Sequence, residues 1–78
     1  MQMYKSRVIL SLRNQETLWA HFLGRPGRGR DVPNGSCGGV VAWLDVTLVL
    51  VRFDGYDFDL VIPTKYLHAG PRLEAKAA

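Results

Sequence analysis

The sequence has few of the features that would indicate an oxidising compartment or a membrane. It has one cysteine, Cys37, so no disulfide can form within it, and we expect a cytoplasmic location. The longest apolar run, residues 46–51, is interrupted by Thr47 and is too short to span a bilayer. Residues 1–7 lack the apolar core and the cleavage site of a signal peptide. We therefore expect neither a membrane span nor a membrane partner.

The sequence also lacks the composition of a disordered chain. Hydrophobic residues make up 47% and charged residues 22%, as in an ordinary globular domain. The 78 residues allow one domain, which we place at residues 1–70, followed by a flexible tail at residues 71–78. A core built from so few residues is thin, and this favours self-association.

Catalytic and metal-binding patterns are missing as well. His21, Cys37 and His68 are widely spaced, whereas zinc ligands come in close pairs. Ser36 is not part of a nucleophile-elbow motif, and residues 54–59 lack the twelve-position spacing and the final glutamate of a calcium loop. We predict that the chain is not an enzyme and has no catalytic residue, metal ligand, cofactor or small-molecule substrate.

What the chain does contain is a series of strand patterns. Residues 6–12 alternate between apolar and polar side chains, which is typical of a half-buried strand. Three runs rich in β-branched and aromatic residues follow later in quick succession. We predict strands at residues 38–44, 47–53 and 56–62, a 3₁₀ turn within residues 63–67 and a short closing strand at residues 66–68.

The dipeptide Asp54-Gly55 predicts a tight hairpin between the last two of these runs. A two-residue turn there pairs Val51 with Phe58 and places Arg52 opposite Asp57. The apolar face of this hairpin and the first strand together predict the core, which consists of Val8, Leu10, Val49, Val51, Phe53, Phe58, Leu60 and Ile62.

Two segments before the hairpin are harder to assign. Residues 14–23 fit either a short helix, in which Trp19 and Phe22 would pack over the barrel, or a long loop with an irregular strand. Residues 24–35 are rich in glycine and proline, which disfavour both a helix and a strand ladder. We expect a mobile, irregular loop there.

Several short motifs follow one another along the chain in an order that is typical of a known class of fold. A long loop precedes Gly38-Gly39-Val40-Val41, then come residues 48–54 and finally Ile62-Pro63 before Tyr66-Leu67. This pattern resembles SH3-like small β-barrels such as KOW modules and photosystem I reaction-centre subunit IV. The resemblance implies an all-β, antiparallel barrel of about five strands with a long first loop, and one short helix if residues 14–23 are helical. Such barrels dock proteins, RNA or DNA, so the fold does not choose the partner.

One enzymatic resemblance also exists. Gly39-Val40-Val41-Ala42-Trp43 is similar to the second strand of type II dihydrofolate reductases, short SH3-like chains that build one active site at the centre of a tetramer. Residues 59–63, Asp-Leu-Val-Ile-Pro, have no counterpart of the Val-Gln-Ile-Tyr motif of those enzymes. A small oligomeric enzyme is therefore the most remote alternative.

An apolar surface is the first candidate binding site. If Asp45-Val46 is a two-residue turn, Ala42 pairs with Val49 and the outer face of the sheet presents Val41, Trp43, Leu48 and Leu50, which Val61 continues. A one-residue slip of register would reverse this assignment. Large exposed apolar patches are rare on monomers, so this face predicts contact with a protein.

An arginine-rich segment is the second candidate. Arg25, Arg28 and Arg30 partly resemble the Arg-Gly-Arg-Pro core of an AT-hook, although Asp31 follows the last arginine where the hook has proline. Arginines in such a loop can also contact RNA phosphates or an acidic protein surface, or remain solvated.

We predict a non-catalytic adaptor or inhibitor that binds a protein, a second copy of itself included. Nucleic-acid binding through the three arginines is the alternative.

Overall fold

The computed structural model describes residues 6–70, which form an antiparallel sheet of seven strands and one 3₁₀ turn. The strands are β1 (Arg7–Leu10), β2 (Thr17–His21), β3 (Gly29–Pro33), β4 (Cys37–Asp45), β5 (Leu48–Phe53), β6 (Leu60–Pro63) and β7 (Leu67–Ala69), and the turn is Thr64–Tyr66. Their order in the sheet is β3-β2-β6-β5-β4-β1-β7. The predicted tail at residues 71–78 lies outside the described residues.

The predicted all-β class is confirmed, with two differences in detail. The sheet has seven strands instead of about five, and within residues 6–70 no ladder joins its edge strands β3 and β7 to close a barrel. The 3₁₀ turn lies within residues 63–67 as predicted, and the closing strand lies one residue later than predicted. No segment within these residues forms a helix with the length and apolarity needed to cross a bilayer.

The core is built from alternate residues of β1 to β6, because successive side chains of a strand point to opposite faces. Six of the eight predicted core residues are buried, while Val8 and Phe58 pack against them from partly exposed positions. Four hydrophobic residues outside the predicted core are also buried, namely Leu12, Ala20, Val32 and Val40.

The segment between β1 and β4 is a hairpin. Residues 14–23 contain a strand and no helix, and the prediction of an irregular loop over residues 24–35 is wrong because β3 lies within it. Gly29 permits this pairing, since a Cβ there would come within 2.1 Å of the carbonyl oxygen of Ala20. Val32 is completely buried and anchors β3, and Pro33 ends the strand at the edge of the sheet, where a missing N–H is tolerated.

The turn at Asp54-Gly55 forms, but the second strand of its hairpin starts later than predicted. The backbone nitrogen of Tyr56 donates to the carbonyl oxygen of Phe53 at 3.1 Å, and Gly55 has a φ of +88°. The chain then remains irregular as far as residue 59, and β6 starts at Leu60. The result is a six-residue connection, residues 54–59, between β5 and β6.

This longer connection shifts the predicted register by two residues. Val51 pairs with Leu60 instead of Phe58, and the guanidinium of Arg52 binds the carboxylate of Asp59 instead of that of Asp57. A shift of two residues leaves every side chain on its predicted face, because the strand repeats every two residues. The predicted core therefore survives although the predicted pairs are wrong.

Candidate binding sites

The outer half of the β4–β5 hairpin carries the most exposed large apolar side chains in the described part of the chain. Val46 is 85% exposed and Trp43 is 69% exposed, and Val41 and Leu44 are exposed beside them. We refer to Val41, Trp43, Leu44 and Val46 as the hairpin end. The other exposed large apolar side chains among residues 6–70, Trp19 and Leu23, lie on and just after β2.

Two β-bulges shape the hairpin end. Val40 pairs with Val51 and Ala42 pairs with Leu50, so β4 has an additional residue at Val41. A second irregularity follows between Trp43 and Asp45, which pairs with Leu48 across a turn at residues 46 and 47. The predicted pairing of Ala42 with Val49 and the predicted turn at residues 45 and 46 are therefore wrong.

The bulges place Trp43 on the opposite side of the sheet from the one predicted. Trp43 pairs with Val49, a core residue, and directly paired residues project from the same face. The partly buried side chains of Leu48 and Leu50 alternate with Val49 and so lie on the outer face. Of the four residues predicted to form one surface, only Val41 and Trp43 are exposed, and Trp43 does not share a face with the two leucines.

Trp43 lies in the part of β4 that extends beyond the described residues of β1. Within residues 6–70, β1 pairs with β4 only at Cys37, Gly38 and Gly39. A further hydrogen bond runs from the nitrogen of Val40 to the carbonyl oxygen of Ser6 at 2.9 Å. Beyond that point, β4 pairs with β5 alone in the described part of the protein, and the indole of Trp43 projects past the core.

The turn of this hairpin is held by one carboxylate. The Oδ1 atom of Asp45 accepts hydrogen bonds from the backbone nitrogen and the hydroxyl of Thr47, at 2.6 and 2.8 Å, and from the backbone nitrogen of Leu48 at 3.1 Å. These bonds, above all the one from the Thr47 backbone, lower the pKa of Asp45 because they stabilise its charged form. The turn is also braced from the 3₁₀ segment, since the nitrogen of Thr64 donates to the carbonyl oxygen of Thr47 at 2.8 Å.

The other tryptophan, Trp19, lies on the outer face of the sheet. Trp19 is 49% exposed on β2 and makes an edge contact with the ring of His21, with 6.3 Å between the ring centroids. His21 pairs with Val61, which in turn pairs with Leu50. Leu50 and Val61 therefore share the outer face with this aromatic pair, and Trp19 does not pack over the core as it would in the helical alternative.

The three candidate arginines lie in the β2–β3 hairpin. Arg25 and Arg28 belong to its turn, which is closed by a hydrogen bond from the nitrogen of Phe22 to the carbonyl oxygen of Arg28 at 3.0 Å. A further bond links the nitrogen of Arg28 to the carbonyl oxygen of Arg25 at 3.1 Å, and Gly27 has a φ of +76°. Arg30 follows in β3. Within residues 6–70 none of the three arginines forms an ion pair.

Arg30 contacts two aromatic rings that lie far from it in the sequence. Its guanidinium carbon lies 5.6 Å from the ring centroid of Phe58 and 6.0 Å from that of Tyr56, within the range of cation–π attraction. Phe58 also makes edge contacts with Tyr56 and Phe22, at centroid distances of 5.2 and 5.3 Å. The sequence does not predict this cluster, because the predicted two-residue turn places Phe58 in a strand opposite Val51.

The hairpin end and the arginines belong to different parts of the sheet. Strands β6 and β5 separate β2, which leads into the arginine turn, from β4, which carries Trp43. The two candidate sites are therefore separate regions of the surface.

The titratable side chains do not gather into a metal site in the described part of the protein. Within residues 6–70, no three His, Cys, Asp or Glu side chains lie close enough together to hold a metal ion. Cys37 and His68 both pair with Ile9, but from opposite sides, so β1 separates the thiol from the imidazole.

Comparison of the chain with protein-family models, with curated proteins and with solved structures gave no significant match in any of the three.

Proposed function

We propose that the chain is a non-catalytic binding module, an adaptor or an inhibitor, that docks a protein partner in the cytoplasm through the hairpin end. The observation that carries this proposal is the exposure of Trp43 and Val46, at 69% and 85%, within a stretch of four residues. Large apolar side chains are costly to leave in water, and a local concentration of them at the surface commonly marks an interaction site. Tryptophan is also among the residues that contribute most to binding energy in protein interfaces.

The fixed geometry of the turn supports the same function. Three hydrogen bonds to Asp45 and the brace from Thr64 order the turn that carries Val46 at its tip. An ordered surface loses little conformational entropy when it binds, so more of the contact energy appears as affinity. An apolar side chain on a disordered loop would lack this advantage.

The edge of β4 offers a second means of contact. Among the described residues, the part of β4 beyond Val40 has a ladder on one side only, to β5. An edge of this kind can accept a strand from another protein, with main-chain hydrogen bonds providing affinity and flanking side chains providing specificity. Val41 and Trp43 flank this edge, so a partner that adds a strand here would also contact the indole.

Affinity capture with two matched tryptophan variants tests the proposal. Trp43→Glu places a charge at the hairpin end, and Trp19→Glu makes the same change on an exposed tryptophan of β2. Wild-type protein and the Trp19 variant should retain the same partner from a nuclease-treated lysate, and Trp43→Glu should lose it. Retention should persist at high salt, since apolar contact is not screened. Equal capture by all three proteins would exclude the hairpin end as the docking site.

A further inference from the structure

Two adjacent pockets lie around Phe58, on a surface separate from the hairpin end. One has a volume of about 350 Å³ and is lined by Phe22, Leu23, Arg25, Phe58 and Asp59. The other has a volume of about 310 Å³ and is lined by Arg30, Gly55, Tyr56, Asp57 and Phe58. Phe58 belongs to both pockets, and each pocket holds one arginine of the β2–β3 hairpin. We propose that this surface, the Phe58 site, binds single-stranded nucleic acid, with one base in each pocket.

The aromatic rings provide the stacking surfaces that bases need. Phe22, Tyr56 and Phe58 are all partly exposed, and edge-to-face contacts of Phe58 with the other two rings hold them together. Bases stack on such rings, and also on the planar guanidinium of arginine, with little dependence on sequence. Arg30 is held against two of the rings, so its guanidinium is already in place for a stacked base.

The charges around the pockets suit a phosphate backbone. Arg25 and Arg28 are exposed in the β2–β3 turn and have no ion pair within residues 6–70, so both are free to contact phosphates. Asp59 would repel an anion, but its carboxylate is bound to Arg52. Asp57 remains as an acceptor in the second pocket. A carboxylate there favours a base with an exocyclic amino group, such as cytosine, over thymine or uracil.

The pockets favour a single strand over a duplex. A base can enter a pocket and stack on Phe58 only if it is released from its neighbours, and in a duplex this costs the energy of unstacking and unpairing. The arginine turn is also closed by its own backbone hydrogen bonds, so it does not form the extended arm suggested by its likeness to an AT-hook. Readout at a minor groove is therefore not the mode that this geometry supports.

Fluorescence anisotropy with labelled oligonucleotides of equal length tests the proposal. The probes are oligo(dC), oligo(rC), oligo(dT) and a duplex that contains the dC strand. We expect oligo(dC) or oligo(rC) to bind more tightly than oligo(dT) and much more tightly than the duplex, and the two cytosine probes distinguish DNA from RNA as the source. Phe58→Leu should weaken binding about tenfold, the loss of one stacking contact. Its slope of affinity against salt should be unchanged.

Surface variants keep the test decisive even if Phe58→Leu does not fold. The double variant Arg25→Gln with Arg28→Gln should weaken binding and reduce the salt slope by about two, one for each phosphate contact. Its matched control, Arg13→Gln with Lys65→Gln, removes the same charge from a different pocket and should leave the slope nearly unchanged. An equal loss in both double variants, tighter binding of the duplex, or no binding at low salt would overturn the proposal. Trp43→Glu should not affect oligonucleotide binding, so failure here is distinct from failure of the protein-docking function.

Discussion

Thr47 donates two hydrogen bonds to the same oxygen of Asp45, one from its backbone nitrogen and one from its hydroxyl. The pair determines where β4 ends, because it fixes residues 46 and 47 as the turn and leaves Val46 at its tip. We therefore expect Asp45→Ala to loosen the hairpin end, with faster amide exchange at Thr47 and Leu48 and weaker partner binding. Asp45→Asn keeps an acceptor oxygen and should have a smaller effect. Unchanged exchange in the alanine variant would show that Asp45 does not hold the turn.

The two valines at opposite extremes of burial provide a matched test of the core. Val51 has no exposed surface and Val46 is 85% exposed, so the same substitution probes both environments. Val51→Ala should reduce the free energy of unfolding by about 2–3 kcal/mol, the loss of transfer energy together with the cost of a cavity. Val46→Ala should change it by less than about 0.5 kcal/mol. Denaturant titration measures both, and comparable losses would contradict the strand phase described above.

The pairing of β2 with β3 depends on Gly29. Gly29→Ala should destabilise the protein by about 3 kcal/mol, because the new methyl group would collide with the backbone of Ala20 and overpacking of this kind cannot be relieved by a side-chain rotation. In Gly27→Ala the new methyl group would meet no neighbouring atom, but the backbone at residue 27 has a positive φ. For alanine this conformation costs about 1–2 kcal/mol. Thermal unfolding of the two variants should therefore rank Gly29→Ala as the less stable. The reverse order would mean that β3 is not closely paired.

The ion pair between Arg7 and Asp54 makes stability depend on pH. Arg7 donates to both carboxylate oxygens at 3.0 and 2.6 Å, and this bonding lowers the pKa of Asp54 in the folded protein. The pair therefore stabilises the fold above the ordinary aspartate pKa of about 3.9, and the contribution is lost as the pH falls through the lower pKa of the folded state.

Since Asp54 is largely exposed, Asp54→Asn should cost no more than about 1 kcal/mol near neutral pH. The difference from wild type should shrink in acid. Asp57→Asn, at an exposed residue that forms no ion pair within residues 6–70, should give a curve parallel to that of wild type. Urea titrations at a series of pH values provide the comparison, and a constant difference between Asp54→Asn and wild type would contradict the assigned role of the pair.

Self-association through the hairpin end is the simplest form of protein docking, because a second copy needs no other gene product. We expect concentrated wild-type protein to sediment as a dimer and Trp43→Glu to sediment as a folded monomer, since the charge would be buried in the contact. Trp19→Glu is the control and should remain dimeric. A wild-type monomer at high concentration would exclude the homodimer and reserve the surface for a foreign partner.

The elements that follow strict alternation could be predicted from the sequence. The core residues of β5 and β6 are correct because Val49, Val51 and Ile62 stand in a period-two pattern that a shift of two residues does not disturb. β3 could not be predicted, because its glycine and proline disfavour a strand in isolation and its pairing depends on the close approach of β2.

The geometry of the candidate sites is less predictable from the sequence, for related reasons. The alternation predicts an exposed Trp43, but no local pattern indicates the bulge at Val41 that places it on the other face. The arginines were also recognised, whereas the Phe58 cluster depends on residues 54–59 folding back toward Arg30. Contacts of that kind form between segments far apart in the chain, and neither periodicity nor turn residues indicate them.

The bulge at Val41 makes the direction of the indole sensitive to chain length. In a strand, loss of one residue rotates every later side chain by half a turn, so a deletion at position 41 would carry Trp43 from one side of the sheet to the other without changing a single side chain of the core. The bulge follows the last described β1–β4 pair, Arg7 with Gly39, by two residues. A lineage could therefore redirect its most exposed aromatic toward a new partner by one codon of insertion or deletion, a larger change in recognition than most substitutions can achieve.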